Sequence, residues 1–232
     1  MGVVTFRRAR TDEQRSQRRR QILDTAAAML TEMPVAKLSL NELSRRVGLA
    51  KANVLRYFES REAVLLDLLD TEVQDWITEL QQLPTAGDGT ARERGDQLAD
   101  ILATSMARRP VLCDLLGAQG AVLERNISTE VGIRHKHAAR QSLRTLVEFV
   151  LRHLPELGND GAAALVESTL LMSMSAWQCS RPSTAMLAVY ASDPELAAMR
   201  IDFTELVRRT TAVTAAGLLA RRGHGENAVR PA

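Results

Sequence analysis

The stretch that most limits what this chain can become runs from Leu38 to Arg61, LSLNELSRRVGLAKANVLRYFESR. Leu40, Leu43 and Val47 recur at helical spacing and define an inner face. Ser39 precedes them and Glu42 follows it by three residues, the pattern of a capping box. Gly48 supplies the backbone freedom that ends a helix, and Leu49 plugs the turn. A second helix is predicted over about 50–58. Val54 and Phe58 form its inner side, and Lys51, Asn53, Arg56 and Tyr57 its outer side. Two short helices across a glycine turn, the second exposed and rich in hydrogen-bond donors, make a helix-turn-helix that reads a major groove.

The charge distribution agrees with that reading. The net charge of the 232 residues is only +2, but residues 1–61 hold 13 Lys/Arg against 6 Asp/Glu, a balance of +7, which leaves −5 for the remainder. A basic end joined to an acidic body suggests a nucleic-acid-binding segment and a second part with another task. Aromatic residues make up 3% of the chain, which favours an all-helical fold over a β-rich one. No apolar run is long enough to span a membrane and no signal peptide is visible, so a cytoplasmic location is expected. Cys113 and Cys179 stand far apart and make no disulfide framework.

Residues 1–14 are polar and expected to be loose. Arg7, Arg8 and Arg10 read either as an arm reaching into a minor groove or as a solubilising tail. A first helix is predicted over about 12–33, with Ile22, Leu23, Ala26, Ala27, Leu30 and Met33 inward. Arg15, Arg18, Arg19 and Arg20 crowd its start, suited to phosphates or to solvent. Ser60 caps a long helix over about 61–83, in which Val64, Leu65, Leu68, Leu69, Val73, Trp76, Ile77 and Leu80 keep helical spacing. Further helices are predicted over about 91–108, 111–124, 128–153, 161–180, 184–191 and 203–220. Residues 223–232 are expected to be disordered.

The N-terminal run resembles the DNA-binding domain of the tetracycline-repressor (TetR) family of bacterial regulators. The residues that carry the likeness are Arg20-Gln21-Ile22-Leu23 with Ala26 and Ala27, then Leu43, Gly48, Lys51, Arg56-Tyr57-Phe58 and Ser60-Arg61-Glu62. Three positions depart from the family pattern: Pro34 in place of a frequent Gly, Ala50 in place of a Ser cap, and Leu55 in place of a Tyr that touches phosphate. The resemblance implies a three-helix helix-turn-helix domain (1–61) followed by a larger helical domain for ligand binding and dimerisation (62–222). It implies a homodimer on a palindromic stretch of double-stranded DNA, with half-sites about 10 bp or a multiple apart. It also implies pairing of the helices over 161–180 and 203–220 with their copies, with ordinary intrachain core as the alternative. It implies repression relieved by a small hydrophobic or amphipathic effector of unknown identity, with a regulator that lacks a small effector as the alternative.

The DNA-binding candidates that follow are Ser39, Asn41, Lys51, Ala52, Asn53, Arg56, Tyr57 and Arg61. Arg and Lys suit guanine, Asn suits adenine, and Ala52 suits a thymine methyl, while Tyr57 and Arg61 suit phosphate. Trp76, Met106, Cys113, Leu116, Met172, Trp177 and Cys179 are candidates for an apolar effector pocket, with plain core packing as the alternative. His135 and His137 are two apart and face different ways on a helix, so they offer no metal pair. No catalytic constellation stands out, and neither an enzyme activity nor a cofactor is expected.

Overall fold

The computed structural model describes residues 3–85 and 88–227, with side chains placed over 13–85 and 88–221. Among the described residues it is all-helical, with no strand. The helices are α1 (Val3–Glu32), α2 (Leu40–Val47), α3 (Lys51–Val54), α4 (Arg61–Gln82), α5 (Ala91–Ala107), α6 (Pro110–Ala118), α7 (Thr129–His153), α8 (Gly158–Cys179), α9 (Thr184–Ser192), α10 (Pro194–Ala197) and α11 (Phe203–Asn227). A single π-helical turn, Gln119–Leu123, follows α6.

Two ends differ from expectation. The segment expected to be loose is helical from Val3, so the backbone of Arg7, Arg8 and Arg10 extends α1, while their side chains lie outside the described residues. The last helix continues through Asn227, past the expected end of order at Arg222.

Packing divides the chain into two compact units, one of Met1–Glu72 with Ala118–Ala138, the other of Val73–Gly117 with Ala139–Ala232. The N-terminal unit therefore takes in more chain than the 1–61 read from sequence. Its core is built from Ile22, Ala26, Met29 and Leu30 of α1, Leu43 and Val47 of α2, and Val64, Leu65, Leu68 and Leu69 of α4, all buried. Segment 118–138 is held to it by polar bonds from α4 and the residues just before it. Glu59 accepts the Ser128 backbone N–H, which holds its carboxyl below the ordinary glutamate range. Asn126 Nδ2 donates to Glu62 Oε2 at 3.3 Å. His135, 4% exposed, sits between Asp70 Oδ1 at 2.8 Å and the Gln119 amide nitrogen at 3.1 Å. The Gln119 amide is the donor there, so His135 Nε2 accepts and Nδ1 carries the proton to Asp70.

In the second unit α11 packs along α5 and α8. The core is closed by Trp76, Leu80, Leu98, Met106, Phe149, Leu165 and Val207, all buried. Helix α5 starts on a complete capping box, in which Thr90 Oγ1 accepts the Glu93 N–H at 3.2 Å and Glu93 Oε2 accepts the Thr90 N–H at 2.8 Å. Glu79 of α4 holds the junction of α5 and α6, accepting from Arg108 at 2.7 Å and from Arg109 at 2.8 Å.

Those hydrogen bonds from Arg108 and Arg109 hold the Glu79 carboxyl below the ordinary glutamate range. A carboxylate with a depressed folded-state pKa stabilises the fold at neutral pH, and that contribution fades as pH falls through the carboxylate range. Glu79→Gln is therefore expected to lower stability at pH 7, with the gap to the parent chain narrowing toward pH 4. Denaturant unfolding at the two pH values checks this, and an equal gap at both would contradict it.

Candidate nucleic-acid interface

Helix α2 begins where the sequence places it. Ser39 Oγ accepts the Glu42 N–H at 3.2 Å. The reciprocal half of the capping box is not made, because the Glu42 carboxylate turns to Arg45, at 2.6 Å, and to Arg46, at 3.1 Å. The hydrogen bonds from Arg45 and then Arg46 hold Glu42 below its ordinary range. Arg46 also reaches Glu32 of α1 at 2.7 Å. Gly48 ends the helix at φ 73°, ψ 29°, a left-handed conformation that suits a residue without Cβ.

Helix α3 is shorter than the expected 50–58. Only Lys51–Val54 is α-helical. Arg56 and Tyr57 donate their N–H groups three residues back, to Asn53 at 3.3 Å and Val54 at 2.9 Å, so 55–57 forms a tighter turn. The two inner residues are buried, Val54 at 0% and Phe58 at 4% exposure. Lys51, Ala52 and Asn53 are exposed side by side, and Asn41 is exposed on α2. Arg56 leaves the helix with the turn, and Tyr57 is half-buried.

Arg19 fixes this turn. Its guanidinium donates to the Tyr57 carbonyl and to Asp67 of α4, and lies 4.2 Å from the centre of the Phe58 ring. One side chain thus joins α1, the turn after α3, and α4. Burial pushes the Asp67 carboxyl above the ordinary aspartate range, against the opposing pull of Arg19. Arg15, Arg18 and Arg20, its neighbours on α1, are exposed. They border a groove of about 1090 Å³ whose other wall is Arg56 and Tyr57. Arg61 is less free than expected. Its side chain is 22% exposed, and its Nε, buried, sits 3.3 Å from Glu62.

The effector candidates lie in the second unit, mostly in core. Trp76 Nε1 donates to Ser105 Oγ at 2.9 Å. The Cys113 thiol bonds the Met106 carbonyl at 3.4 Å, and its burial pushes its pKa up to about 12, which makes it an inert side chain. Trp177 bonds Asp114 at 3.3 Å and meets the Phe203 ring edge-on at 5.2 Å. Met106 and Leu116 are buried, Met172 is half-buried, and Cys179 is exposed at the end of α8. The groove beside α1 is lined by none of these seven. Among the described residues, no group of three His, Cys, Asp or Glu is placed to hold a metal, and no helix is long and apolar enough to cross a membrane.

Residues 22–68 match the family description "Bacterial regulatory proteins, tetR family", and residues 70–222 match "Tetracyclin repressor-like, C-terminal domain". The chain belongs to the TetR family. Among curated relatives, the HTH-type transcriptional regulator EthR of Mycobacterium tuberculosis is 39% identical over 72 residues, which is 31% of this chain and 33% of that protein. The chain thus matches about a third of that relative's length. The fold resembles a TetR regulator from a Rhodococcus species, with a TM-score of 0.54 at 15% identity over 88% of this chain and 96% of that one. It also resembles the fatty acid degradation regulator FadR of Bacillus halodurans, with a TM-score of 0.54 at 16% identity over 85% of this chain and 97% of that one.

Arg19→Ala is expected to lower stability by about 1–3 kcal/mol, because it strands the partly buried Asp67 carboxylate and frees the turn after α3. Arg18→Ala, one position away on the exposed face, is expected to change stability by no more than about 0.5 kcal/mol. Chemical denaturation of the two full-length variants compares them, and equal losses would refute the assignment of Arg19 to an internal role.

Proposed function

We propose that this chain is a DNA-binding transcriptional regulator that acts as a homodimeric repressor on a palindromic operator. The carrying observation is the exposed triplet Lys51, Ala52 and Asn53 on a short helix anchored by buried Val54 at its end and by buried Phe58 just beyond the turn that follows. Such a helix presents donors and a methyl group to base edges without internal competition. Lys51 and Asn53 read bases, and Ala52 packs on a thymine methyl. Ser39 and Asn41, at the start of α2, meet the backbone or the edge of the groove. Arg56 and Tyr57, placed on the turn, meet phosphates rather than bases. Arg61 contributes a weaker phosphate contact, because Glu62 already engages it.

Dimerisation runs through α8 and α11. Leu171 of α8 is 57% exposed and Val213 of α11 is 68% exposed. Ala216 and Gly217, beside Val213, are exposed too, which lets a second helix approach closely. A two-fold dimer sets the two recognition helices in successive major grooves. Helix α4 has residues in both compact units and is the covalent path by which an effector in the body would act on the head. In this reading a small hydrophobic or amphipathic effector spreads the heads and releases the operator.

A second reading keeps the DNA-binding head without a small effector, as an activator or a partner-controlled regulator. It is favoured by the closed hydrogen bonding of Trp76, Cys113 and Trp177 in the body. Adding hydrophobic small molecules to the operator complex separates the two, since only the first reading expects release.

Asn53→Ala is expected to weaken operator binding by about 1–3 kcal/mol and to relax sequence preference at one base pair of each half-site. Fluorescence anisotropy on matched and mismatched duplexes measures both, and an unchanged preference would remove Asn53 from base reading. Val213→Glu is expected to shift the chain from dimer to monomer in sedimentation equilibrium. A dimer of unchanged affinity would place the interface elsewhere.

A further inference from the structure

The arginines of the N-terminal unit fall into two electrostatic classes. Arg45 and Arg46 are engaged by Glu42 and Glu32, and Arg19 by Asp67. Around the groove beside α1 the situation is different. Among the described residues no ion pair is seen at Arg15, Arg18, Arg20 or Arg56, and Arg18 donates only to the neutral amide of Gln21, at 2.6 Å. Glu13 and Asp24 also border the groove, so its balance is +4 against −2, a net +2. Gln14, Gln17 and Gln21 add neutral amide donors along the same wall, and Tyr57 also lines the groove.

We infer that this groove is a phosphate-backbone site that extends the DNA contact outward from the recognition helix, along α1. The inference rests on the DNA-binding reading above and adds a surface to it. Its lining is arginine, glutamine and acidic side chains with Tyr57, and not the aliphatic and aromatic wall that seats a hydrophobic effector. It is a groove rather than an enclosed cavity, which suits a strand passing through. From Glu13 to Asp24 the helix rises about 16 Å. That is the axial rise of four to five nucleotides of one strand, at about 3.4 Å each. Arg and Gln side chains are the usual donors to phosphate oxygens. Arg15 and Arg18, three apart, reach from the α1 wall, and Arg56 faces them from the recognition turn. Arg19 is a positioning residue here. It touches no phosphate, and it sets the groove by tying α1 to the Tyr57 carbonyl and the Phe58 ring. The contacts are sequence-neutral, so they add affinity and register without selecting bases.

The test compares the full-length parent chain with the triple variant Arg15→Ala, Arg18→Ala, Arg20→Ala. Each binds an operator duplex selected by the parent and a scrambled duplex, over a series of salt concentrations, and hydroxyl-radical footprinting maps the protected backbone. The triple variant is expected to make the slope of log K against log salt two to three units less negative, at about 0.9 per lost phosphate contact. Affinity falls by the same factor on both duplexes, and protection is lost at the outer edges while the centre is kept. An unchanged slope with an unchanged footprint overturns the inference. A loss confined to the operator, with the scrambled duplex unaffected, also overturns it, because that marks base reading. Should the triple variant fold poorly, Arg15→Ala and Arg18→Ala singly are each expected to move the slope by about one unit. If the parent chain binds no duplex at all, the DNA-binding reading fails as a whole. If the parent selects a palindrome and only the variant result is negative, this groove alone is excluded.

Discussion

A four-residue helix cannot hold its own shape, and the function proposed for this chain depends on one. Forming a helical turn fixes several dihedrals for each hydrogen bond gained, so a segment as short as Lys51–Val54 exists only where its surroundings impose it. The surroundings do so from three sides. Gly48 turns the chain in a left-handed conformation, Val54 and Phe58 anchor the inner face, and Arg19 grips the turn through the Tyr57 carbonyl and the Phe58 ring. The exposed Lys51, Ala52 and Asn53 are then presented on a scaffold that does not need them for stability. A base-reading helix requires that separation of duties, because side chains that face DNA are free to be chosen by the operator rather than by the core.

The same logic sorts the basic residues. A raw count of 13 Lys/Arg in residues 1–61 treats every cation alike. The fold does not. Glu32 and Asp67 make Arg46 and Arg19 struts between helices, while Glu42 engages Arg45 within α2. Lys51, Arg15, Arg18, Arg20 and Arg56 stay exposed. Attraction for a polyanion comes from the second group, so the field of the head is narrower and better aimed than its net charge suggests.

Much of this was legible in the sequence. The spacing of Leu43, Val47, Val54 and Phe58 marked the inner faces, Gly48 marked the turn, and Ser39 and Ser60 marked the helix starts. The internal role of Arg19 also left a trace. It stands three residues before Ile22 and seven before Ala26, on the buried stripe, whereas Arg18 and Arg20 flank that stripe. The Thr90–Glu93 capping box is likewise written in the residues, a Thr followed three positions later by a Glu at the start of α5. Other features had no local signal. The short length of α3 follows from tertiary packing, which overrides the propensity of Leu55 and Arg56 to continue a helix. The membership of 118–138 in the N-terminal unit rests on bonds between residues more than sixty apart, such as His135 with Asp70 and Asn126 with Glu62, which no window along the chain reveals.

The central claim is that a rigidly held helix-turn-helix gives this chain sequence-specific binding as a dimer. The most direct measurement is selection of bound fragments from genomic DNA at low and high salt, followed by sequencing. The account predicts an enriched palindrome that persists at the higher salt, since base contacts survive when backbone attraction is screened. Binding that disappears at high salt with no enriched sequence would contradict it and reduce the head to a cationic surface.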